Sequence, residues 1–233
     1  MIFINPPFGN YFSFEKTISI KGSYTLEPRS GLIMQVLRTL RYSFEHHGWI
    51  NKIGLRNPGI DYAIKNYKKN SIVSVAILNK EDIPKLIKKI PDDMNIELNI
   101  SCPNAEKKMI TEGIENFLNK KRTWCIIKLS PTTDMKLVDN YYKQGFRQFH
   151  CSNTYPTPTG GLSGKFLIPY STKLISNIKS KYSDTTVIGG GGITSKEEIE
   201  MYKKAGADHF SVSTLFFNPY KCYKFYHSCI TSL

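Results

Sequence analysis

Short apolar, β-branched runs alternate with amphipathic segments along most of the chain. Runs at 2–4, 17–21, 71–78, 95–100, 124–129, 148–152, 186–189 and 209–212 are rich in Ile, Val and aromatic residues and predict strands. Between the later runs, apolar residues recur at helical spacing. Segment 82–90 groups Ile83, Leu86, Ile87 and Ile90, and 109–120 groups Ile110, Ile114, Phe117 and Leu118. Segment 134–144 follows Thr132-Thr133, and 171–181 places Leu174, Ile175 and Ile178 on one face. Segment 195–204 opens with Ser195 three residues before Glu198, the spacing of a capping box, and stops before Ala205-Gly206. A last helix is expected from Pro219, a residue suited to a first helical turn.

Strand–helix alternation calls for a parallel sheet. Eight strands without a visible linker predict an α/β fold of the (β/α)8 TIM-barrel type, one domain over residues 1–233. One place resists the pattern. A parallel crossover usually takes a dozen or more residues and a helix. Between the first two strands lie only residues 5–16, with two prolines and four aromatics. An abbreviated first βα unit is therefore expected.

The composition narrows the class. At 233 residues, 40% hydrophobic and 22% charged, the chain can bury one sizeable core. No apolar run approaches the roughly 20 residues that span a bilayer, and no secretory pattern opens the chain. A cytoplasmic location without membrane attachment is expected. The five cysteines (Cys102, Cys125, Cys151, Cys222, Cys229) form no Cys-x-x-Cys pair, which argues against a disulfide framework and a zinc site. The net charge of +13 comes from lysines spread over several helix faces, such as Lys65, Lys68 and Lys69 or Lys85, Lys88 and Lys89. No aromatic-interleaved patch accompanies them. A solvated basic surface is expected, with no nucleic-acid partner.

Candidate chemistry gathers where strands end. Asn99, Cys102 and Asn104 crowd the end of the fourth strand, with Pro103 stopping its continuation. A carboxamide both donates and accepts, and a tuned thiol exchanges a proton near neutrality. Lys128 sits inside an apolar strand. There it either faces a ligand or pairs with a buried carboxylate such as Glu97. Lys21 ends the second strand, and Asn153 and Thr154 follow the sixth. Gly160-Gly161-Leu162-Ser163-Gly164 reads as a turn-rich loop. Gly189 to Gly192 follow the seventh strand and lead to a helix, where backbone N–H groups can cradle phosphate. Ser213 and Thr214 after the eighth strand could complete such a cradle.

Taken in order, 99–104 (NISCPN), 127–131 (IKLSP), 152–154 (SNT), 160–164 (GGLSG), 188–193 (IGGGGI) and Gly206-Ala207 resemble the dihydroorotate dehydrogenase family. Residues 49–59 (WINKIGLRNPG) are similar to that family's segment after strand two. The resemblance covers roughly residues 17–217, and an ordered set of motifs is far more specific than any one of them. It implies an FMN-containing barrel that oxidises dihydroorotate to orotate in pyrimidine synthesis. It implies Cys102 as the base for the C5 proton, cysteine marking the soluble class 1 enzymes, with Lys128 beside the flavin. It implies Asn51, Asn99, Asn104, Asn153 and Thr154 as substrate-binding residues. Lys21, Lys128, Gly164, Gly191, Gly192, Ser213 and Thr214 are implied as FMN-binding residues, with no metal.

The partner is then a small pyrimidine, a homodimer is one assembly left open, and the electrons pass to fumarate or, through a partner flavoprotein, to NAD. Two departures stand out. Asn5-Pro6-Pro7-Phe8-Gly9 replaces the family's small-residue segment after strand one, and the loop between Asn153 and Gly160 is short, so active-site cover looks trimmed. Rival readings are a related flavin barrel acting on a dihydrouracil- or dihydrouridine-type substrate, and a catalytically degenerate FMN-binding or interaction protein.

Overall fold

All eight apolar runs form strands, and the strands close on one another. The computed structural model describes residues 1–100 and 111–230. In chain order the strands are β1 (Ile2–Ile4), β2 (Thr17–Tyr24), β3 (Arg41–Ser43), β4 (Gly48–Asn51), β5 (Ser71–Ala76), β6 (Ile96–Asn99) and β7 (Cys125–Leu129). There follow β8 (Gln148–Cys151), β9 (Tyr155–Thr157), β10 (Gly160–Gly164), β11 (Thr186–Gly190) and β12 (His209–Val212). A closed barrel runs β1-β12-β11-β8-β7-β6-β5-β2, each pair parallel and β2 returning to β1. The helices are α1 (Leu32–Thr39), α2 (Ile60–Lys65), α3 (Asp82–Lys89), α4 (Met135–Lys143), α5 (Ile168–Lys181), α6 (Lys196–Lys204) and α7 (Pro219–Phe225).

Alternation along each strand sorts two cores. Outward residues such as Val73, Val75, Ile96, Leu98, Ile127, Leu129 and Phe149 meet the helices, including Leu86 of α3, Tyr141 of α4 and Ile175 and Ile178 of α5. Inward, Phe3, Ile20, Ile72, Ile126 and Ile188 fill the barrel, flanked by Ile18 and Trp124. Each of these five is essentially without solvent contact. Burying an isoleucine contributes about 1.5–3 kcal/mol, so this plug is a main source of stability.

The first unit is abbreviated as expected. A single 3-10 turn at Phe8–Asn10 links β1 to β2. In place of a helix, Phe8, Phe12 and Phe14 pack on Phe216 at centroid distances of 5.2, 4.9 and 6.3 Å, Phe8 tilted and the other two stacked. Aromatic area thus covers a wall that a helix would otherwise cover.

Several expectations need correction. The glycine-rich segment Gly160–Gly164 is not a loop but strand β10, antiparallel to β4 and β9 in a four-stranded sheet ordered β3-β4-β10-β9. Its alternation is hidden because glycine has no hydropathy to display. Helix α1 and this sheet lie outside the elements predicted above. Among the described residues of 109–120 there is a 3-10 turn, Ile114–Phe117, not a full helix. Gly113 precedes it at φ 81° and Leu118 leaves it extended, while one turn already buries Ile114 and Phe117. The Ser195 hydroxyl binds Glu198 Oε2 at 2.6 Å rather than a backbone N–H. Glu198 itself reaches back to the Thr194 N–H at 3.2 Å. Helix α5 begins at Ile168, before residue 171, because Pro169 fits its first turn.

Candidate active site

The same alternation decides which polar groups reach the barrel axis. Two residues beyond Phe3, Ile72 and Ile126 on their strands come Asn5, Ser74 and Lys128, and β6, β8 and β12 add Glu97, His150 and Ser211. Glu97 is fully buried and is the common acceptor of this layer. Its Oε1 accepts from Ser74 Oγ at 2.8 Å and from Lys128 Nζ at 3.3 Å, and its Oε2 lies 2.5 Å from His150 Nδ1. Burial pushes the Glu97 carboxyl up, yet the Lys128 ammonium, His150 and the Ser74 hydroxyl together hold it well below the usual carboxylate range. Burial, reinforced by Lys128, pushes His150 below its ordinary value against the pull of Glu97. The consistent state is an ionised Glu97 and a neutral His150 whose Nδ1–H points at Glu97.

Two chains of donors end on this carboxylate. In one, Asn153 Nδ2 donates to Asn99 Oδ1 (3.1 Å) and Asn99 Nδ2 to Ser23 Oγ (2.9 Å). Ser23 Oγ lies 2.9 Å from Ser74 Oγ, which donates to Glu97. In the other, Asn5 Nδ2 lies 3.2 Å from His150 Nε2.

Above the layer opens a cavity of about 370 Å3, within the range of small-molecule sites, about 300–1,000 Å3. It gathers Asn51, Lys128, Asn153, Thr154, Gly164, Gly191, Gly192, Ser213 and Thr214, nine of the residues singled out in the sequence. The backbone approaches closely at its rim. A Cβ on Gly192, at φ 79°, would stand 2.6 Å from Lys165 Cα and 2.7 Å from the Gly164 carbonyl oxygen, so the position demands glycine. A second chamber of about 460 Å3 shares Gly164, Gly192 and Thr214 and adds Lys165, Thr194 and Lys221. These glycines, hydroxyls and lysines have the donor chemistry of a phosphate cradle beside a more apolar compartment. The residues present therefore fit FMN.

Two of the four remaining candidates fall elsewhere. Asn99 does not line the cavity but stands behind Asn153 as a relay. Lys21 does not reach it either. It pairs in register with Val73, whose side chain packs in the outer core, so Lys21 points out of the barrel, into a separate pocket of about 220 Å3 with Arg56, Asn57 and Tyr62. The inward position is Gly22, where a Cβ would meet the Ser74 carbonyl oxygen at 2.6 Å. Lys21 thus stands apart from the cavity that gathers the other candidates, alternation being the physical reason. Cys102 and Asn104 lie outside the described residues. Lys128 satisfies both of its alternatives, pairing with Glu97 and lining the cavity.

Sequence reasoning missed part of the wall. Leu32, Val36 and Leu40 from α1 and its C-terminal end line the cavity, and Trp49 stacks on Phe217 with centroids 4.2 Å apart. The i, i+4, i+8 spacing of 32, 36 and 40 is a legible helical signal. Cover over the cavity has another source besides the short 153–160 loop. It comes from α1, β4 and β10, which supply Trp49, Asn51, Ser163 and Gly164. Asn5, first residue of the segment that departs from the family after strand one, also lines the cavity.

Comparison with known proteins agrees with this architecture. The family model described as "Dihydroorotate dehydrogenase" matches residues 13–231. The "Dihydroorotate dehydrogenase B (NAD(+)), catalytic subunit" of Oceanobacillus iheyensis is 29% identical over 251 residues, covering 92% of this chain and 82% of the relative. The protein of the same name from Petrotoga mobilis is 31% identical over 220 residues, covering 75% and 70%. Among solved structures, ligand-free DHODH from Eimeria tenella superposes with a TM-score of 0.73 at 18% identity, covering 95% of this chain and 81% of that one. The ferulenol complex from the same organism gives 0.70, also at 18% identity, covering 88% and 70%. The two structures share the barrel fold.

Proposed function

This chain belongs to the dihydroorotate dehydrogenase family, and from that premise we propose that it oxidises dihydroorotate to orotate with FMN as its cofactor. The observation that supports the site-level reading is the convergence of nine residues, from Asn51 to Thr214, on one cavity above a buried ionic layer. FMN, when bound, supplies the hydride acceptor.

The chain's own residues divide the remaining tasks. Backbone N–H groups at Gly191 and Gly192, with the Ser213 and Thr214 hydroxyls, would hold the phosphate, and Gly164 would let the cofactor approach closely. Lys128 brings a positive charge to the cavity floor, where an electron-accepting ring gains negative charge. Its pairing with Glu97 keeps that ammonium in one place. Asn51, Asn153 and Thr154, with Asn104, would bind the pyrimidine edges, and Asn99 holds the Asn153 carboxamide in orientation. Leaving these amides unpaired with a wrong substrate disfavours it. Cys102, in the NISCPN motif, would take the C5 proton. As in relatives named as NAD(+)-type catalytic subunits, the electrons would leave toward NAD through a partner protein. We place the protein in the cytoplasm. No helix among the described residues is long and apolar enough to cross a membrane.

Anaerobic mixing of the purified FMN-loaded protein with dihydroorotate tests this reading. The flavin absorbance should bleach, and Cys102→Ala should slow the bleaching by about 10²-fold or more. Bleaching by dihydrouracil but not by dihydroorotate would overturn the substrate.

A further inference from the structure

The departure after strand one puts a polar side chain where it has unfinished chemistry. Asn5 follows β1, is about nine-tenths buried, and lines the cavity above the ionic layer. Its Nδ2 is fully used, 3.2 Å from His150 Nε2 and 3.1 Å from Ser211 Oγ. Its Oδ1 is buried without a hydrogen-bond partner among the described residues. A buried carbonyl oxygen left unpaired costs about 1–3 kcal/mol, so a native site with such an atom is incomplete until a donor arrives.

The orientation of that carboxamide is dictated from below. Glu97 Oε2, as a carboxylate, accepts from His150 Nδ1, so the neutral ring carries its proton there and Nε2 becomes an acceptor. The single Nε2 lone pair takes the Ser211 hydroxyl, whose oxygen then accepts from Asn5 Nδ2, and this requires the Asn5 NH2 group on that side. Rotating the amide by 180° would set Oδ1 against the Nε2 lone pair. Ser211 Oγ, 2.7 Å from Nε2, closes the triangle by accepting from Asn5 and donating to His150. The Glu97–His150 pair therefore fixes Asn5 as an acceptor toward whatever fills the cavity.

We propose that Asn5 is a cofactor-reading residue: its carboxamide oxygen accepts a ring N–H of the bound isoalloxazine, and His150, held by Glu97, is the positioning residue that aims it. The inference rests on FMN being the occupant. An oxidised isoalloxazine carries one ring N–H and a reduced one carries more, so both affinity and reduction potential are informative.

The test measures FMN affinity of the apoprotein by fluorescence quenching, and the midpoint potential of the loaded protein. Variants are checked first for an unchanged far-UV spectrum. Asn5→Leu should weaken FMN binding about tenfold if the donor is present in the oxidised ring. If the donor appears only on reduction, a tenfold loss in relative affinity for the reduced ring lowers the potential by about 30 mV. His150→Leu should move the same quantity in the same direction. His150→Gln should restore it to within twofold, because a glutamine can donate to Glu97 and accept from Asn5 at once. Purely structural damage would instead lower stability in both His150 variants and leave affinity and potential where they were. Wild-type-like affinity and potential in Asn5→Leu would overturn the inference while the FMN assignment stood. An unaltered chain that takes up no FMN would overturn both.

Discussion

The barrel interior has two floors, built from the same strands one pleat apart. On the lower, Phe3, Ile72 and Ile126 join Ile20 and Ile188 in a dry plug. On the upper, Asn5, Ser74 and Lys128, each two residues further along β1, β5 and β7 or just past its end, join Glu97, His150 and Ser211. A rise of about 7 Å separates them. The lower floor stabilises by transfer from water and needs no partner of particular chemistry. The upper floor must desolvate a carboxylate and an ammonium, and it is tolerable only because each finds the other and the remaining polar atoms are almost all paired. The exception, Asn5 Oδ1, faces the question of a ligand. One step of a strand separates packing from chemistry.

Mutations can sharpen that contrast. The largest expected effect is on the upper floor. Glu97→Leu leaves the Lys128 ammonium buried and unneutralised, and should cost about 3–5 kcal/mol, read from urea unfolding. Adding Lys128→Met should recover most of that loss without restoring wild-type cofactor affinity. Recovery of both would remove the distinction between the floors. Next, Ile126→Ala on the lower floor should cost about 2–4 kcal/mol through cavity formation, with FMN affinity of the folded fraction kept within twofold.

A smaller effect follows from pH. The folded Glu97 carboxyl lies below its ordinary 4.5, so its stabilisation is present above that value and fades as pH falls toward about 2. The folded His150 lies below its ordinary 6.5, so below pH 6.5 the unfolded chain takes up a proton that the folded one refuses. Both make stability fall with acidification, by at most about 1.4 kcal/mol per pH unit for each proton. His150→Leu should flatten the curve between pH 6.5 and 5 and leave the acid limb from Glu97. A wild-type curve flat from pH 7 to 4 would contradict the assigned protonation states. The smallest effect is expected at Lys21, which points outward. Lys21→Ala should change stability by no more than about 0.5 kcal/mol and FMN affinity less than twofold.

The chain's own pattern carried much of this. Ile, Val and aromatic runs of the right length must become strands in water, and eight of them alternating with helical segments leave a parallel barrel as the economical arrangement. The glycine, asparagine and lysine motifs at strand ends named nine of the cavity's lining residues in advance, because βα loops gather at one face. Tertiary structure alone decided which way each side chain points. Lys21 and Lys128 look alike along the chain, both in apolar strands, yet a period of two sends one out beside Val73 and the other in beside Glu97. Likewise nothing local assigns Asn5 or His150 a role. Their roles arise only when closure of the barrel brings β1 and β8 to one carboxylate, a juxtaposition across 145 residues of chain that no local pattern encodes.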